Sequence, residues 1–329
     1  MEEKINGVED PSREYTRVNG LAIRTEGLTK RFGELIAIDK VDLEVRRGEL
    51  FGFVGPDGAG KTTMMRLLTA IMDPTSGEAW VAGHSIRSGG ELLKEKIGYM
   101  SQRFGLYEDL TVIENILFYA DLYGVPDRER APRIERLLGF SNLTPFQKRL
   151  AGNLSGGMKQ KLGLACALIH TPEVLFLDEP TSGVDPVSRR DFWRILYELL
   201  RDGITVFVST SYLDEAERCT RVALIDHGRI LDVDDPGRMR KKLSLPMIEI
   251  ATSQGREARS VVQGISGVER VNVYGDRLHV ALSEEGAMAR IEAHMRDRGI
   301  PAEAIRPIEP SLEDVFISMI SGSDPGKGG

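Results

Sequence analysis

One segment constrains this chain above all others. Gly55-Pro56-Asp57-Gly58-Ala59-Gly60-Lys61-Thr62-Thr63 fits the pattern G-x-x-x-x-G-K-[ST] and follows an apolar run, Leu50-Phe51-Gly52-Phe53-Val54, that reads as a strand. A helical run from Thr62 to Met72 comes next. Strand, glycine-rich turn and helix in that order make a cradle for a nucleoside triphosphate. A polyphosphate must come within hydrogen-bond distance of backbone N–H groups, and only residues without a Cβ let the chain wrap that tightly. The helix N-terminus then faces the anion with free amides and the positive end of its dipole. In this reading Lys61 lies against the β- and γ-phosphates, and the Thr62 hydroxyl completes a Mg²⁺ ligand set with phosphate oxygens and water. Thr63 supports the loop. Asp57 repels phosphate unless it points away, and within Pro-Asp-Gly it is expected on the outside of a turn.

Composition narrows the class. A length of 329 residues allows about two domains, and 41% hydrophobic with 28% charged residues is ordinary for a globular chain able to bury a full core. A net charge of −7 and a pI near 5.5 argue against an extended nucleic-acid surface, so nucleic acid is not expected as a partner. Cys166 and Cys219 are the only cysteines, which suits a reducing compartment such as the cytosol and no disulfide framework. Met1 to Arg13 is acidic and polar, without the apolar core of a signal peptide. The longest apolar stretch, Leu162 to Ile169, is far short of the ~20 residues that span a bilayer, so any membrane role is expected through a partner.

The pattern along the chain divides it. Residues up to 20 read as a flexible leader. Leu21–Glu26, Leu35–Val45 and Leu50–Val54 read as strands, and residues from about 92 to 150 turn helical, with Val112, Ile113, Ile116, Leu117 and Ala120 at helix spacing. A helix from Met158 to Ile169, a buried strand Val174–Leu177, a helix Pro186–Arg201, a strand Ile204–Ser209 and a short amphipathic piece Tyr212–Cys219 follow. Strands alternating with helices predict a mainly parallel sheet. From 246 to 320 the order β-α-β-β-α-β with a terminal helix predicts a ferredoxin-like appendage, and 321–329 reads as a disordered tail.

Two further motifs specify the machine. Val174-Leu175-Phe176-Leu177-Asp178-Glu179 is an apolar strand ending in two acids, at the sheet edge where metal and water chemistry sits. Asp178 is expected to hold Mg²⁺ through water, and Glu179 to orient or deprotonate the water that attacks the γ-phosphate. Leu154-Ser155-Gly156-Gly157-Met158-Lys159-Gln160 precedes that strand and opens a helix. With these motifs in this order, the chain from 21 to about 240 resembles the ATP-binding-cassette ATPases. The resemblance implies a P-loop cassette: a mixed-sheet core, an antiparallel β subdomain and an α-helical subdomain. It identifies Gln102, in Tyr99-Met100-Ser101-Gln102, as the loop glutamine that reaches the metal and the lytic water. Phe32 is similar to the aromatic that stacks on adenine. Ser182-Gly183-Val184-Asp185 resembles the loop that couples two active sites, with Val184 where Leu is usual. The family pattern also implies a head-to-tail dimer in which Leu154 to Met158 of one copy, through Ser155, Gly156 and Gly157, face the ATP held by Lys61 of the other.

One position departs from the family. Ser211, in Ser209-Thr210-Ser211-Tyr212-Leu213-Asp214-Glu215, stands where a γ-phosphate-contacting His is usual. A hydroxyl donates one hydrogen bond and carries no positive charge, so turnover is expected to be weakened unless neighbouring groups or water compensate. The ending Glu309-Pro310-Ser311-Leu312-Glu313-Asp314-Val315-Phe316 and the segment Arg103 to Leu110 resemble the cassettes of drug and antibiotic exporters. Those pair with a separate integral membrane permease, which would hold this chain at the inner face of the membrane. A soluble cassette acting on ribosomes and a subunit that binds ATP with weak hydrolysis are the alternatives.

Overall fold

The computed structural model describes residues 20–103, 105–243, 245–284 and 286–322. The expected leader before Gly20 and residues 323–329 of the expected tail lie outside them. Two compact units divide at Val233 and Asp234.

In the first unit, β1 (Leu21–Phe32) and β2 (Leu35–Arg46) pair antiparallel across a turn whose Gly33 has φ 58°. β3 (Leu50–Val54) leads into the glycine-rich loop and α1 (Lys61–Leu68). That helix stops before the expected Met72 because Thr69 caps it and Ala70 turns left-handed, φ 53°. β4 (Ser76–Val81) and β5 (His84–Ser85) complete a four-stranded sheet in the order β2-β1-β4-β5.

The stretch from 92 to 150 is not helical throughout. After α2 (Gly90–Lys96) the chain forms β6 (Ile97–Met100), the edge strand of the central sheet. Gly98 makes this possible: a Cβ there would stand 2.5 Å from the Ala167 carbonyl, so the strand lies directly on the helix behind it. The helical part is α3 (Val112–Leu122), started by a capping box between Thr111 and Glu114, and α4 (Asp127–Phe140). α5 (Gly156–Leu168), β7 (Val174–Asp178), α6 (Pro186–Arg201), β8 (Thr205–Thr210), α7 (Leu213–Ala216), β9 (Arg221–Asp226) and β10 (Arg229–Asp234) follow.

The central sheet runs β10-β9-β3-β8-β7-β6, with β9, β3, β8, β7 and β6 parallel. β3, β7 and β8 are buried along their whole length, as expected for strands covered on both sides, whereas the edge strand β10 is not. Phe207 on β8 sits 5.6 Å, centroid to centroid, from each of Phe51, Phe53 and Phe176, and all four rings are fully buried. Cys166 and Cys219 are free and buried, and burial pushes both thiols up, away from reactive thiolate. Among the described residues no helix is long and apolar enough to cross a membrane.

The second unit opens with α8 (Pro236–Lys242), which packs on the last helix, so the division falls earlier than the expected 246. β11 (Met247–Ala251), α9 (Gly255–Val262), β12 (Val268–Tyr274), β13 (Arg277–Leu282), α10 (Ala287–Asp297), β14 (Ala304–Ile308) and α11 (Leu312–Gly322) give the order β12-β13-β11-β14, antiparallel at each pairing. This is the ferredoxin-like arrangement, with Ile248, Ile250, Leu278, Val280, Ile291 and Met295 in its core.

The other face of this sheet carries a cluster of charged and polar side chains beside the buried Met247 and Ala281. Glu249 pairs with Arg277 at 2.9 Å and Arg306 at 2.8 Å, and His279 Nδ1 lies 3.0 Å from Asp314, which is 1% exposed. Burial alone would raise the Asp314 carboxyl, but bonds from His279 and Ser311 outweigh it and hold the group down to about 2. A depressed carboxyl stabilises the folded state above its ordinary value of 3.8, and that stabilisation is lost as pH falls through the folded value. The size is about 2 kcal/mol. Asp314→Asn is therefore expected to lower the unfolding midpoint of this unit near neutral pH by ~10 °C and to flatten its loss of stability between about pH 4 and pH 2. Circular-dichroism melts across that range check it; parallel acid limbs for variant and wild type would contradict it.

Candidate nucleotide-binding site

The register of the parallel strands assembles the site. Val54 of β3 pairs with Thr210 of β8, Ser209 with Asp178 of β7, and Leu177 with Met100 of β6. The residues just past those ends, Gly55, Ser211, Glu179 and Gln102, therefore emerge along one carboxyl edge, where open α/β sheets bind ligands.

The loop's glycines have separate reasons. A Cβ on Gly55 would stand 2.2 Å from the Ile225 carbonyl, and one on Gly60, at φ 108°, would stand 2.4 Å from the Ala37 carbonyl. Both positions exclude a side chain on contact alone. Gly58 has open space around it and a φ of 81°, so its demand is conformational. Pro56 and Ala59 close the turn through the Ala59 N–H to the Pro56 carbonyl, 3.2 Å, and the Gly228 N–H anchors the loop on the Ala59 carbonyl at 3.0 Å.

Lys61 is 5% exposed and is the hub. Its Nζ donates to the Gly55 carbonyl at 2.8 Å, the Pro56 carbonyl at 2.9 Å and Ser211 Oγ at 3.0 Å, and lies 3.0 Å from Glu179 Oε1. Four acceptors share three ammonium protons, so the lysine is held yet can exchange partners. Ser211 Oγ stands 3.1 Å from Glu179 Oε1 and 3.1 Å from Asp57 Oδ1; with one proton it donates to one carboxylate at a time. Asp57 has a 94% exposed side chain, in keeping with an outer turn position, but its carboxylate turns back towards Ser211 and lies 3.9 Å from Lys61. Gln102 Nε2 donates to Glu179 Oε2 at 3.2 Å. Glu179 itself has φ 47°, a left-handed backbone uncommon outside glycine, and its N–H is fixed by Ser209 Oγ at 3.0 Å.

Asp178 is 1% exposed. Its Oδ1 accepts the Ser209 hydroxyl at 2.7 Å, whereas Oδ2 is buried with no hydrogen-bond partner among the described residues. A buried carboxylate oxygen left over at a strand end suits the water shell of a cation, so the residues fit Mg²⁺. No cluster of three or more His, Cys, Asp or Glu able to hold a metal occurs among the described residues. One carboxylate and the Thr62 hydroxyl instead suit an ion bound mainly by phosphate and water.

A cleft of about 570 Å³ is lined by Phe32, Gly58, Gly60, Lys61, Thr62, Thr63, Gln102, Glu179 and Ser182. Phe32 is 46% exposed, with the Lys30 ammonium 5.2 Å from its ring centre, so a flat aromatic face is open to a base. Sequence reasoning missed His227, which lines the same cleft at φ 45°, and Ser209, which orients both acids. It also missed Glu215, a fully buried acid beneath the Ser211 turn. The one signal for Glu215 was an acid on the inner face of the short amphipathic piece.

The family model described as ABC transporter matches residues 38–182. The daunorubicin resistance ATP-binding protein DrrA2 of Streptomyces coeruleorubidus is 34% identical over 308 residues, covering 92% of this chain and 96% of that protein. This chain belongs to the ATP-binding proteins of ABC transporters. The bacitracin transport ATP-binding protein BcrA of Bacillus licheniformis is 32% identical, over 92% of this chain and 99% of its own length. The chain spans about half, 53%, of the probable multidrug ABC transporter ATP-binding protein YbhF of Escherichia coli, to which it is 41% identical. A solved ATP-binding subunit of an ABC transporter superposes with a TM-score of 0.62 at 27% identity, covering 68% of this chain and 93% of that one.

The remaining cassette motifs have local structural work. Ser155 caps α5 by accepting from the Met158 N–H at 3.3 Å, and Leu154 is buried behind it. A Cβ on Gly157 would stand 2.4 Å from Ser188, so that glycine lets α5 lie against α6, while Gly156 is exposed with open space around it. Ser155 to Met158 do not line the cleft of their own chain. Asp185 caps α6 through the Val187 and Ser188 N–H groups, which hold its carboxyl below the usual range, the Ser188 bonds most. Ser182 and Gly183 are exposed, and Val184 is tucked under α5 near Gly157.

Proposed function

We propose that this chain is the ATP-binding and ATP-hydrolysing subunit that powers export through a separate integral membrane permease. The observation that carries the reading is the single cluster of Lys61, Ser211, Glu179 and Gln102 at the sheet's carboxyl edge. The glycine-rich loop and the N-terminus of α1 would bind the phosphates, Lys61 would transfer its donors to them, and Phe32 would stack on the base. Glu179 would hold the attacking water and take its proton, with Gln102 positioning both. Mg²⁺, held by Thr62, by Gln102 and through water by Asp178, would neutralise phosphate charge when bound.

Ser155 and Gly156 of a second copy would close the exposed side of the triphosphate, with a second helix N-terminus completing the anion site. Loss of the γ-phosphate would loosen that contact through the loop Ser182 to Asp185. Support for a membrane partner comes from a second cleft, about 990 Å³, between the core and α3–α4, where Ile71 and Leu122 are 60% and 64% exposed. BcrA and the Nod factor export ATP-binding protein I are named for transport or export. A permease in this cleft would keep the chain at the cytoplasmic face of the membrane.

Purification of the tagged chain from detergent-treated membranes tests the reading: a polytopic membrane protein is expected to come with it, and ribosomes in its place would contradict it. Slow turnover is a second expectation, favoured by Ser211, whose hydroxyl is shared among Lys61, Glu179 and Asp57. Ser211→His is expected to raise the steady-state ATPase rate by on the order of 10²-fold, and an unchanged rate would reject that role.

A further inference from the structure

The acid beneath the Ser211 turn is placed unlike an ordinary packing residue. Glu215 is fully buried, and both its carboxylate oxygens are used. Oε1 accepts the Thr181 hydroxyl at 2.6 Å and Oε2 the Thr210 hydroxyl at 2.9 Å. Thr181 and Thr210 are each 1% exposed. The charge is offset by Arg189 of α6, whose Nε lies 3.3 Å from Oε1 without an aligned hydrogen bond and whose guanidinium sits 4.5 Å from the centre of the Tyr212 ring. The Thr210 hydroxyl in turn accepts the Tyr212 N–H at 3.0 Å, which closes the turn around Ser211.

We propose that Glu215 is a positioning residue that locks the Ser211 turn to the loop Ser182 to Asp185, so that the two move as one body. Thr181 stands between Glu179 and that loop, and Thr210 immediately precedes Ser211. One rigid carboxylate thus sets the relative position of the water-holding acid, the γ-phosphate hydroxyl and the loop proposed to meet a second copy. A buried carboxylate is costly to desolvate, and removing either threonine hydroxyl leaves one of its oxygens without a hydrogen bond. The lock therefore fails as a unit, and a displacement of either loop reaches the other.

The inference deepens the ATPase reading and rests on it for its kinetic part alone. Thr181→Val removes one donor, and Thr210→Val removes one donor together with the acceptor of the Tyr212 N–H, whereas Thr181→Ser and Thr210→Ser keep the hydroxyl. Two measurements are made on the full chain. In hydrogen exchange, Thr181→Val is expected to speed the amides of residues 211 and 212 by about tenfold, and Thr210→Val those of 182–184 by as much. The serine variants should restore slow exchange. In ATP turnover, each valine variant is expected to lose about tenfold in kcat with ATP affinity unchanged. Loosening confined to the substituted loop, or kcat and affinity falling together with the folded fraction, would overturn the proposal. A wild-type chain that never hydrolyses ATP would overturn the ATPase reading, and the exchange result would still decide this one.

Discussion

Glu179→Gln is expected to lower steady-state ATP hydrolysis by ~10²- to 10³-fold while ATP affinity stays within about threefold. The glutamine keeps the shape of the side chain and can still meet Gln102 and Ser211, now at 3.2 Å and 3.1 Å from the carboxylate. What it loses is the negative charge and the proton acceptor. With ATP bound Lys61 would turn to the phosphates, leaving the Glu179 charge and proton acceptor to the attacking water, so the loss is expected on kcat. Bound ATP should then persist, seen as stoichiometric nucleotide that survives gel filtration in Mg²⁺. Hydrolysis within threefold of wild type would mean that another group takes the proton and that Glu179 serves only as a partner for Lys61.

Lys61→Ala should act on the opposite term. The ammonium is buried and surrounded by four acceptors at the first turn of α1, and in the proposed function it would move onto phosphate oxygens. Charge-assisted bonds of this kind contribute about 1.5–3 kcal/mol, so ATP affinity is expected to weaken by ~10- to 100-fold, with hydrolysis lost in proportion. Titration with a fluorescent ATP analogue measures it. Equal affinity in variant and wild type would remove Lys61 from the phosphate site.

The contrast between what was legible and what was not has a physical basis. The strand Leu50–Val54, the glycine loop and the Asp178-Glu179 strand end are contiguous in sequence because their chemistry is local: a turn with no room for Cβ and an acid at the end of a buried strand. The βαββαβ order of the second unit was legible for the same reason, since each element carries its own period and turn. β6 was hidden inside a helical stretch because Ile97-Gly98-Tyr99-Met100 is too short to show alternation, and its strand state is fixed by pairing with β7. The partners of Glu215 were illegible because Thr181, Arg189 and Thr210 meet it only in three dimensions. Gly157 and Asp185 were read for their family roles, and the fold adds a helix-packing contact to one and a helix cap to the other.

The central claim is that ATP is clasped between two copies, with Lys61 on one side and Ser155 and Gly156 on the other. Sedimentation of the Glu179→Gln chain with and without Mg²⁺-ATP tests it most directly. The account predicts monomers that become dimers on adding nucleotide, and monomers throughout when Ser155→Arg is added to a chain that still binds ATP. A Glu179→Gln chain saturated with ATP that sediments as a monomer would contradict it.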